Sequence, residues 1–409
     1  MKKTKPSGKI GPIQRSSLDR GSHGIDIRTT TGLLRRYVCV ERGLMRMLAG
    51  WFLVAPAYET KHTFGYHVWD HAEHVDWMRK RLGEMRGGQV NASVEPALSR
   101  CVDETIHAKD ASDFISAAYL ELQASLLECY RDHLAAADPC ANAMESRLLQ
   151  RMIPDLERHV EWAQKQTASS NDHRAMIRRL IAAAGGISGL ETPVKSGDIP
   201  ASPHRFQRSG TILFDSRIRR AELMSYEARK SASPETARLE DFKVFFNEMY
   251  AAALLASVIY DADPSELAWE FHHDFAHQFW DEVRHSEFGA IRLKELGSAP
   301  EVCNPVLFER SQGLPILHRI CYLTLGLEVY FMSRKEPRTR GFAEKGDFRS
   351  QLFADQDWSD EITHVRYGKR WVDHLLENDF RTAEDILAEV REHMGAAAGQ
   401  KQDKIAAPF

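Results

Sequence analysis

The chain has 409 residues, of which 43% are hydrophobic and 27% charged, and its formal net charge is −4 at pH 7. This length suffices for two or three domains that each bury a core, and the charge argues against a general affinity for nucleic acid. No apolar run approaches the roughly 20 residues that span a bilayer. The six cysteines include no CxxC pair, so the sequence predicts a reduced cytoplasmic protein without a membrane segment.

Helical periodicity dominates the chain. Apolar residues recur at three- and four-residue steps in eight segments, and no β-hairpin pattern accompanies them. In chain order the predicted helices cover residues 40–53, 67–85, 111–134, 146–166, 241–260, 265–296, 314–332 and 351–376. The sequence therefore predicts an all-α fold.

The regions outside these helices have a different composition. Residues 1–30 are basic and predict a flexible arm, whereas 394–409 predict a loose tail. Residues 167–239 contain a Gly-Gly pair and several prolines, which predict a connecting segment between two domains, 31–166 and 240–393.

An internal repeat defines those two domains. The pattern Asp-x-x-x-His occurs four times, and a predicted helix with a glutamate precedes each copy. The four copies of the pattern are Asp70/His74, Asp155/His159, Asp281/His285 and Asp360/His364. The glutamates that precede them are, in the same order, Glu41, Glu121, Glu248 and Glu328. Four helix pairs packed two by two predict two tandem four-helix bundles.

The last two copies contain a complete set of ligands for two metal ions. Such a centre takes one glutamate from each of two helices and a Glu-x-x-His pair from each of the other two. Glu248 precedes Glu282 by 34 residues and Glu328 precedes Glu361 by 33, while His285 and His364 complete the two pairs. Residues at i and i+3 lie on one side of a helix, so each pair is predicted to share a metal ion. Four carboxylates balance two divalent cations, and imidazole with carboxylate suits iron or manganese.

Two aspartates are predicted to orient the histidine ligands. A metal-bound histidine usually donates its second N–H to a carboxylate. We expect Asp281 to hold His364 and Asp360 to hold His285; the alternative is that both are ordinary surface acids.

The isolated Glu-x-x-His motif has little specificity. It also occurs at Glu59/His62, Glu104/His107 and Glu270/His273. The copy at 103–107 even reads Asp-Glu-x-x-His, but no glutamate precedes it at the required distance. Only the complete four-part pattern predicts a metal centre.

The first bundle lacks the complete ligand set. His71 and Leu156 occupy the positions of the two motif glutamates. We therefore assign a structural role, as buried Asp–His pairs, to Asp70, His74, Asp155 and His159. The competing interpretation is a mononuclear site built from Glu41, His71, His74, Glu121 and His159.

Residues one helical turn from the ligands are predicted to line a mostly apolar substrate pocket. They are Phe245, Ala252, Phe275, Gln278, Thr324, Leu325 and Phe331. Such a stripe is also what any bundle core contains, so the two polar members, Gln278 and Thr324, are the more specific candidates.

Residues 240–376 resemble the ferritin-like di-iron carboxylate superfamily, through the metal-ligand segments 245–253, 280–289, 324–330 and 360–368. The Asp-Glu-x-Arg-His string at 281–285 is similar to the metal helices of bacterial multicomponent monooxygenases, and the overall arrangement is similar to poorly characterised bacterial ferritin-like domain proteins. The resemblance implies activation of O2 or H2O2 at a centre with two iron ions, or with one manganese and one iron.

Three functions are compatible with the sequence. The first is an O2-dependent di-iron oxidase or oxygenase acting on a small organic substrate, with electrons from a separate reductase or from the substrate itself. The second is iron handling or peroxide detoxification without an organic substrate. The third is a binding scaffold, which unmetallated buried carboxylates would destabilise.

Overall fold

The computed structural model describes residues 24–91, 93–167, 171–194 and 199–400. The predicted all-α class is confirmed, because helices make up most of the chain and the two strands are two residues long each. In chain order the elements are α1 (Ile27–Val54), α2 (Tyr58–Glu84), α3 (Pro96–Thr105), α4 (Ala111–Ala117), π1 (a π-helix, Ala118–Gln123), α5 (Ala124–Ala136), α6 (Ala143–Gln166), α7 (Asp172–Ala183), β1 (Arg219–Arg220), α8 (Tyr226–Lys230), α9 (Pro234–Asn247), α10 (Met249–Asp261), α11 (Trp269–Glu295), β2 (Val302–Cys303), α12 (Val306–Ser311), α13 (Ile316–Ile320), π2 (a second π-helix, Cys321–Glu328), α14 (Val329–Met332), α15 (Lys335–Glu344), α16 (Phe348–Leu375) and α17 (Ala383–Gln400).

The chain divides into two compact units whose bounds differ from the predicted domains. The first unit contains residues 1–44 and 74–206, and the second contains 45–73 and 207–409. The difference arises because α1 and α2, with 28 and 27 residues, each contribute residues to both units. A division read from linear composition cannot detect a helix that belongs to two units.

The first unit includes a helix that the sequence analysis assigned to the connecting segment. Helix α7 packs against α3, α4 and π1. Asn171 begins it by accepting a hydrogen bond from the Arg174 amide, and Ile177 and Leu180 are buried. The glycines and prolines that follow α7 obscured this short amphipathic pattern.

The second unit is built around α11, which packs against α9, α10 and α16. Helix α16 also packs against π2 and α15. The approach of α9 to α11 requires a glycine at position 289, since a Cβ there would lie 2.2 Å from the backbone nitrogen of Phe246. The parallel strands β1 and β2 pair within the same unit.

The predicted arm and tail overlap with helices. Helix α1 already begins at Ile27, inside the predicted arm 1–30, and residues 1–23 lie outside the described residues. Helix α17 continues to Gln400, so the predicted tail 394–409 begins as helix, and residues 401–409 are again outside the described part. Ile386 and Val390 are buried and anchor α17.

Residues 234–261 form one nearly continuous apolar helical stretch. Within the described residues, it is the one stretch long and apolar enough to cross a membrane by length and composition. Of its most apolar window, 72% is buried inside the structure, and a buried core helix meets the same criterion.

Candidate metal centre

The six predicted ligands come together in the second unit. Glu248 lies between α9 and α10, Glu282 and His285 lie in the middle of α11, and Glu328 ends π2. Glu361 and His364 lie on α16. Each of the six belongs to at least one group whose ligand atoms lie within 4.8 Å of one another: Glu248–Glu282–His285, Glu282–Glu328–His364 and His285–Asp357–Glu361.

The groups form two halves joined by Glu282. Its Oε2 lies 3.7 Å from His285 Nδ1, and its Oε1 lies 3.5 Å from His364 Nδ1. We call Glu248, His285, Asp357 and Glu361 the His285 half, and Glu328 with His364 the His364 half. We predicted that Glu361 and His364 share one metal ion. In the structure the ligand atoms of Glu361 instead group with those of His285 and Asp357. The i, i+3 rule places both side chains on one face but does not decide which neighbouring group each one meets.

The two histidines are held by aspartates from the opposite helix. His364 Nε2 lies 3.0 Å from Asp281 Oδ2, and His285 Nε2 lies 3.2 Å from Asp360 Oδ2. Arg284 donates to both aspartates, at 2.8 Å in the case of Asp360. These are the two predicted pairings, and they leave both Nδ1 atoms facing the glutamates.

Sequence reasoning missed two charged residues in the His285 half. Asp357 is fully buried, and its Oδ1 lies 3.4 Å from His285 Nδ1. Lys335 Nζ lies 2.9 Å from both Asp357 oxygens and 2.7 Å from Glu361 Oε1. Asp357 precedes Glu361 by four residues on α16, and this i, i+4 spacing could have identified it. Lys335 carried no such signal, because it begins a separate helix.

Burial and charge shift the pKa values of the site in opposite directions. Burial, together with the charge of Glu361, raises the pKa of Glu282 to about 7 and that of Glu328 to about 8. For the two histidines burial favours the neutral form, but the surrounding carboxylates outweigh it and raise the pKa of His285 and His364. All four shifts favour protonated side chains at positions where a metal ion would supply positive charge.

The donor set fits two divalent cations. Among the described residues, five buried atoms of this set lack a hydrogen-bond partner: Glu248 Oε2, His285 Nδ1, Glu328 Oε2, Glu361 Oε2 and His364 Nδ1. Buried polar atoms without hydrogen bonds are costly, and two of these five, Glu248 Oε2 and His285 Nδ1, lie 3.1 Å from each other. Imidazole nitrogen with carboxylate oxygen is the donor chemistry of iron and manganese.

One predicted pocket residue contacts the cluster directly. Gln278 is fully buried, and its Nε2 donates to Glu328 Oε1 at 2.7 Å. Thr324 instead donates to the Ile320 carbonyl at 2.8 Å and packs against Gly368. Its hydroxyl is therefore engaged in its own helix rather than turned to a ligand.

The apolar members of the predicted pocket occupy different environments. Phe245 packs against Phe288 and Phe275 against Phe271, with ring centroids 5.5 and 4.7 Å apart. Ala252 is buried, Leu325 is half-buried, and Phe331 is half-buried beside the Arg334 guanidinium. A cleft of about 550 Å³ in this unit is lined by other residues, among them Arg238 and Phe342. The substrate pocket therefore stays a prediction.

The first unit contains a buried hydrogen-bond network at the corresponding copies of the repeat. His74 Nδ1 lies 3.1 Å from Glu41 Oε1, and its Nε2 lies 3.1 Å from Asp155 Oδ2. Tyr130 donates to the same Glu41 oxygen at 2.6 Å. His159 is buried in the first unit, whereas Asp70 is only half-buried and belongs to the second unit, so the structural role predicted for these two residues stays a prediction.

Glu121 does not join this network. It forms ion pairs with Arg174 at 3.0 Å and with Arg178 at 2.7 Å. Leu156 is fully buried. Glu121 is therefore not available as a ligand for the competing mononuclear site, because two arginines already neutralise its carboxylate.

The other Glu-x-x-His copies have local partners. In the first unit, Glu104 accepts from the Ser202 amide at 2.8 Å, and His107 Nδ1 accepts from the Phe206 amide at 3.0 Å. In the second unit, Glu59 pairs with Arg217, and His62 Nε2 lies 3.1 Å from Ser286 Oγ. His273 packs against Trp69 and Trp269.

Comparison with known proteins identified no relative of this chain. No protein-family model matches the chain, and no curated protein or solved structure is significantly similar to it.

Proposed function

We propose that the second unit holds two iron ions, or one manganese and one iron, and that the protein is an O2-dependent oxidase or oxygenase. The observation that carries the proposal is the convergence of four glutamates, one aspartate and two histidines from separate helices on one buried cluster. Lys335 contributes one positive charge against these five carboxylates, which leaves a net formal charge of −4 for two divalent ions.

The chain's own residues would bind and position the ions. Glu248, Glu328, Glu361 and Asp357 would each serve one half, while Glu282 faces both. Asp281 and Asp360 would hold the histidines in the tautomer that leaves Nδ1 free to bind metal. A reduced metal pair there would supply the binding and activation of O2.

The proposed architecture is two tandem ferritin-like bundles. It is supported by the four Asp-x-x-x-His copies, and by the π-helices that contain Glu121 in the first unit and Glu328 in the second. π-Helical turns are rare in proteins, and those that occur often lie at functional sites. Their recurrence at corresponding glutamates therefore favours a duplicated unit. In this proposal the first bundle keeps the architecture, and the second binds the metal.

We infer that the substrate is a small organic molecule and that electrons come from a separate reductase or from the substrate. The buried phenylalanines around α9 and α11 support an apolar environment. The alternative function, iron handling or peroxide removal, would use the same ligands. It differs from the oxygenase because its turnover would not depend on an organic compound.

The test is anaerobic reconstitution of the full chain with Fe²⁺, followed by metal analysis and an oxygen electrode. About two metal ions per chain, with O2 consumption that rises only with a particular class of organic compound, would support the oxygenase. Peroxide consumption that is indifferent to organic compounds would favour the alternative. A chain that retains no iron or manganese would refute both.

A further inference from the structure

Lys335 places a fixed positive charge inside one half of the centre. It is the first residue of α15 and is only 4% exposed. Its ammonium group contacts both oxygens of Asp357 at 2.9 Å and Glu361 Oε1 at 2.7 Å. Three charge-assisted hydrogen bonds use the full donor capacity of the ammonium group.

The His364 half has a neutral residue as the corresponding partner. Gln278 donates to Glu328 Oε1 at 2.7 Å, and this amide carries no charge. Glu328 Oε2 and His364 Nδ1 both remain without a hydrogen bond. A cation entering this half meets oxygen and nitrogen atoms without having to displace another cation.

The His285 half presents a different situation to an incoming metal ion. Both Asp357 oxygens and Glu361 Oε1 are already bound by Lys335, whereas Glu248 Oε2, His285 Nδ1 and Glu361 Oε2 have no hydrogen bond. An ion that recruits Asp357 must therefore share or displace the Lys335 bonds, and an ion bound by the other atoms still lies close to the ammonium charge. Like charges at such distances in a buried site repel strongly, because little water screens them. The four-carbon stem of lysine lets its ammonium move without a change in the backbone.

We propose that Lys335 makes the two halves unequal, so that the His364 half takes up its metal ion first and the His285 half binds the second ion more weakly. The inference rests on the proposed di-metal centre and goes beyond it, since it assigns an order of filling and the residue that sets it. Lys335 acts here as a positioning residue that competes for Asp357 and Glu361.

The test is an anaerobic titration of the full, metal-free chain with Mn²⁺, in which free Mn²⁺ is followed by electron paramagnetic resonance. Wild-type protein should show two classes of site whose dissociation constants differ at least tenfold. Lys335→Met, which shortens the unbranched side chain by one atom and removes its charge, should strengthen the weaker class at least tenfold. The matched control is Lys345→Met, at the exposed residue that directly follows the same helix, which should leave both classes unchanged.

Two ligand variants assign the classes without changing Lys335. His364→Ala should remove the tight class, and His285→Ala should remove the weak one. The reverse assignment would overturn the order of filling, even if Lys335→Met failed to fold. Lys335→Gln, a smaller polar change, gives a second measurement of the charge effect.

The remaining outcomes separate the two proposals. Two ions bound with equal affinity by the wild type would overturn this inference and leave the di-metal centre intact. One ion in the wild type and two in Lys335→Met would support the inference in its strongest form, whereas one ion in both would overturn it. Absence of Mn²⁺ and Fe²⁺ binding in all variants would refute the proposed function itself.

Discussion

Asp281 lies 3.0 Å from His364, and this contact determines which nitrogen of the histidine faces the glutamates. A carboxylate only accepts, so His364 Nε2 carries the proton and Nδ1 is left toward Glu282 and Glu328, each 3.5 Å away. Asp360 has the same relationship to His285. The ring orientation is therefore set before any metal arrives, and loss of the Nδ1 proton gives the tautomer that can bind metal.

Replacing Asp281 with asparagine should weaken metal binding without removing a ligand. The amide can present its NH2 group to His364 and so loosen the ring or favour the wrong tautomer, and such changes typically cost 10- to 100-fold in metal affinity. The measurement is the same Mn²⁺ titration, with Asp355→Asn on the exposed face of α16 as the control. Unchanged affinity in Asp281→Asn would show that the contact does not orient a ligand.

Glu282→Ala and His364→Ala should abolish binding of the complete metal pair. Glu282 faces both halves, and His364 is the histidine of one half. His107→Ala should leave the metal content unchanged, because His107 accepts a backbone hydrogen bond in the first unit. Metal analysis after anaerobic reconstitution measures all three. If His107→Ala lost the metal and His364→Ala kept it, the ligand assignment would be wrong.

His74 should stabilise the first unit in a pH-dependent way. Although burial disfavours its charge, Glu41 and Asp155 outweigh this and raise the pKa of His74 to about 9, from an ordinary value of 6.5. A raised pKa means that the folded state binds the proton more tightly. The stabilisation is therefore complete below about pH 6.5 and is lost as the pH rises through about 9, by about 3 kcal/mol in total.

Urea unfolding of His74→Gln and the wild type at pH 6 and pH 10 measures this effect. The difference in unfolding free energy between the two proteins should be larger at pH 6 by an amount of that order. His374→Gln, at an exposed position on α16, is measured in parallel as the control. A His74→Gln difference that does not change with pH would contradict the charged network.

Gly289→Ala should destabilise the second unit. An added Cβ would lie 2.2 Å from the Phe246 amide nitrogen and 2.7 Å from the Phe242 carbonyl oxygen, and backbone atoms cannot move aside as a side chain can. The expected cost is about 1–3 kcal/mol or more. Gly341→Ala, a helical glycine with open space around it, should be neutral or stabilising by up to about 1 kcal/mol. Thermal or urea unfolding compares the two, and equal stabilities would contradict the tight α9–α11 contact.

The sequence predicted the parts of the centre that depend on regular helical spacing. Glu282 with His285 and Glu361 with His364 were identifiable because i, i+3 positions share a face, and the cross-helix aspartates followed from histidine chemistry. The partition of Glu361 into the His285 half depends on how α16 packs against α11, which spacing does not encode. Lys335 reaches the cluster from a helix that begins after a break, and no periodic pattern links it to Asp357.

The same limit applies to the fold. Amphipathic patterns identified most of the long helices but missed α3, α7, α15 and α17. The division into units did not follow composition, because α1 and α2 contribute to both. Thr324 was chosen as a site residue for its polarity, yet it donates to Ile320 in its own helix. A hydroxyl near a ligand in sequence can be satisfied locally, and only the three-dimensional contacts distinguish the cases.

The ion pairs of Glu121 bear on the evolutionary history of the first unit. Arg174 and Arg178, both from α7, hold this glutamate on both carboxylate oxygens. If the first unit descends from a metal-binding copy, a single reversion of Leu156 to glutamate would add a buried acid without recovering Glu121. The arginines would have to change at the same time, and each intermediate would leave a buried charge uncompensated. Under that descent, recovery of a metal site in the first unit would require coordinated changes at Leu156, Arg174 and Arg178.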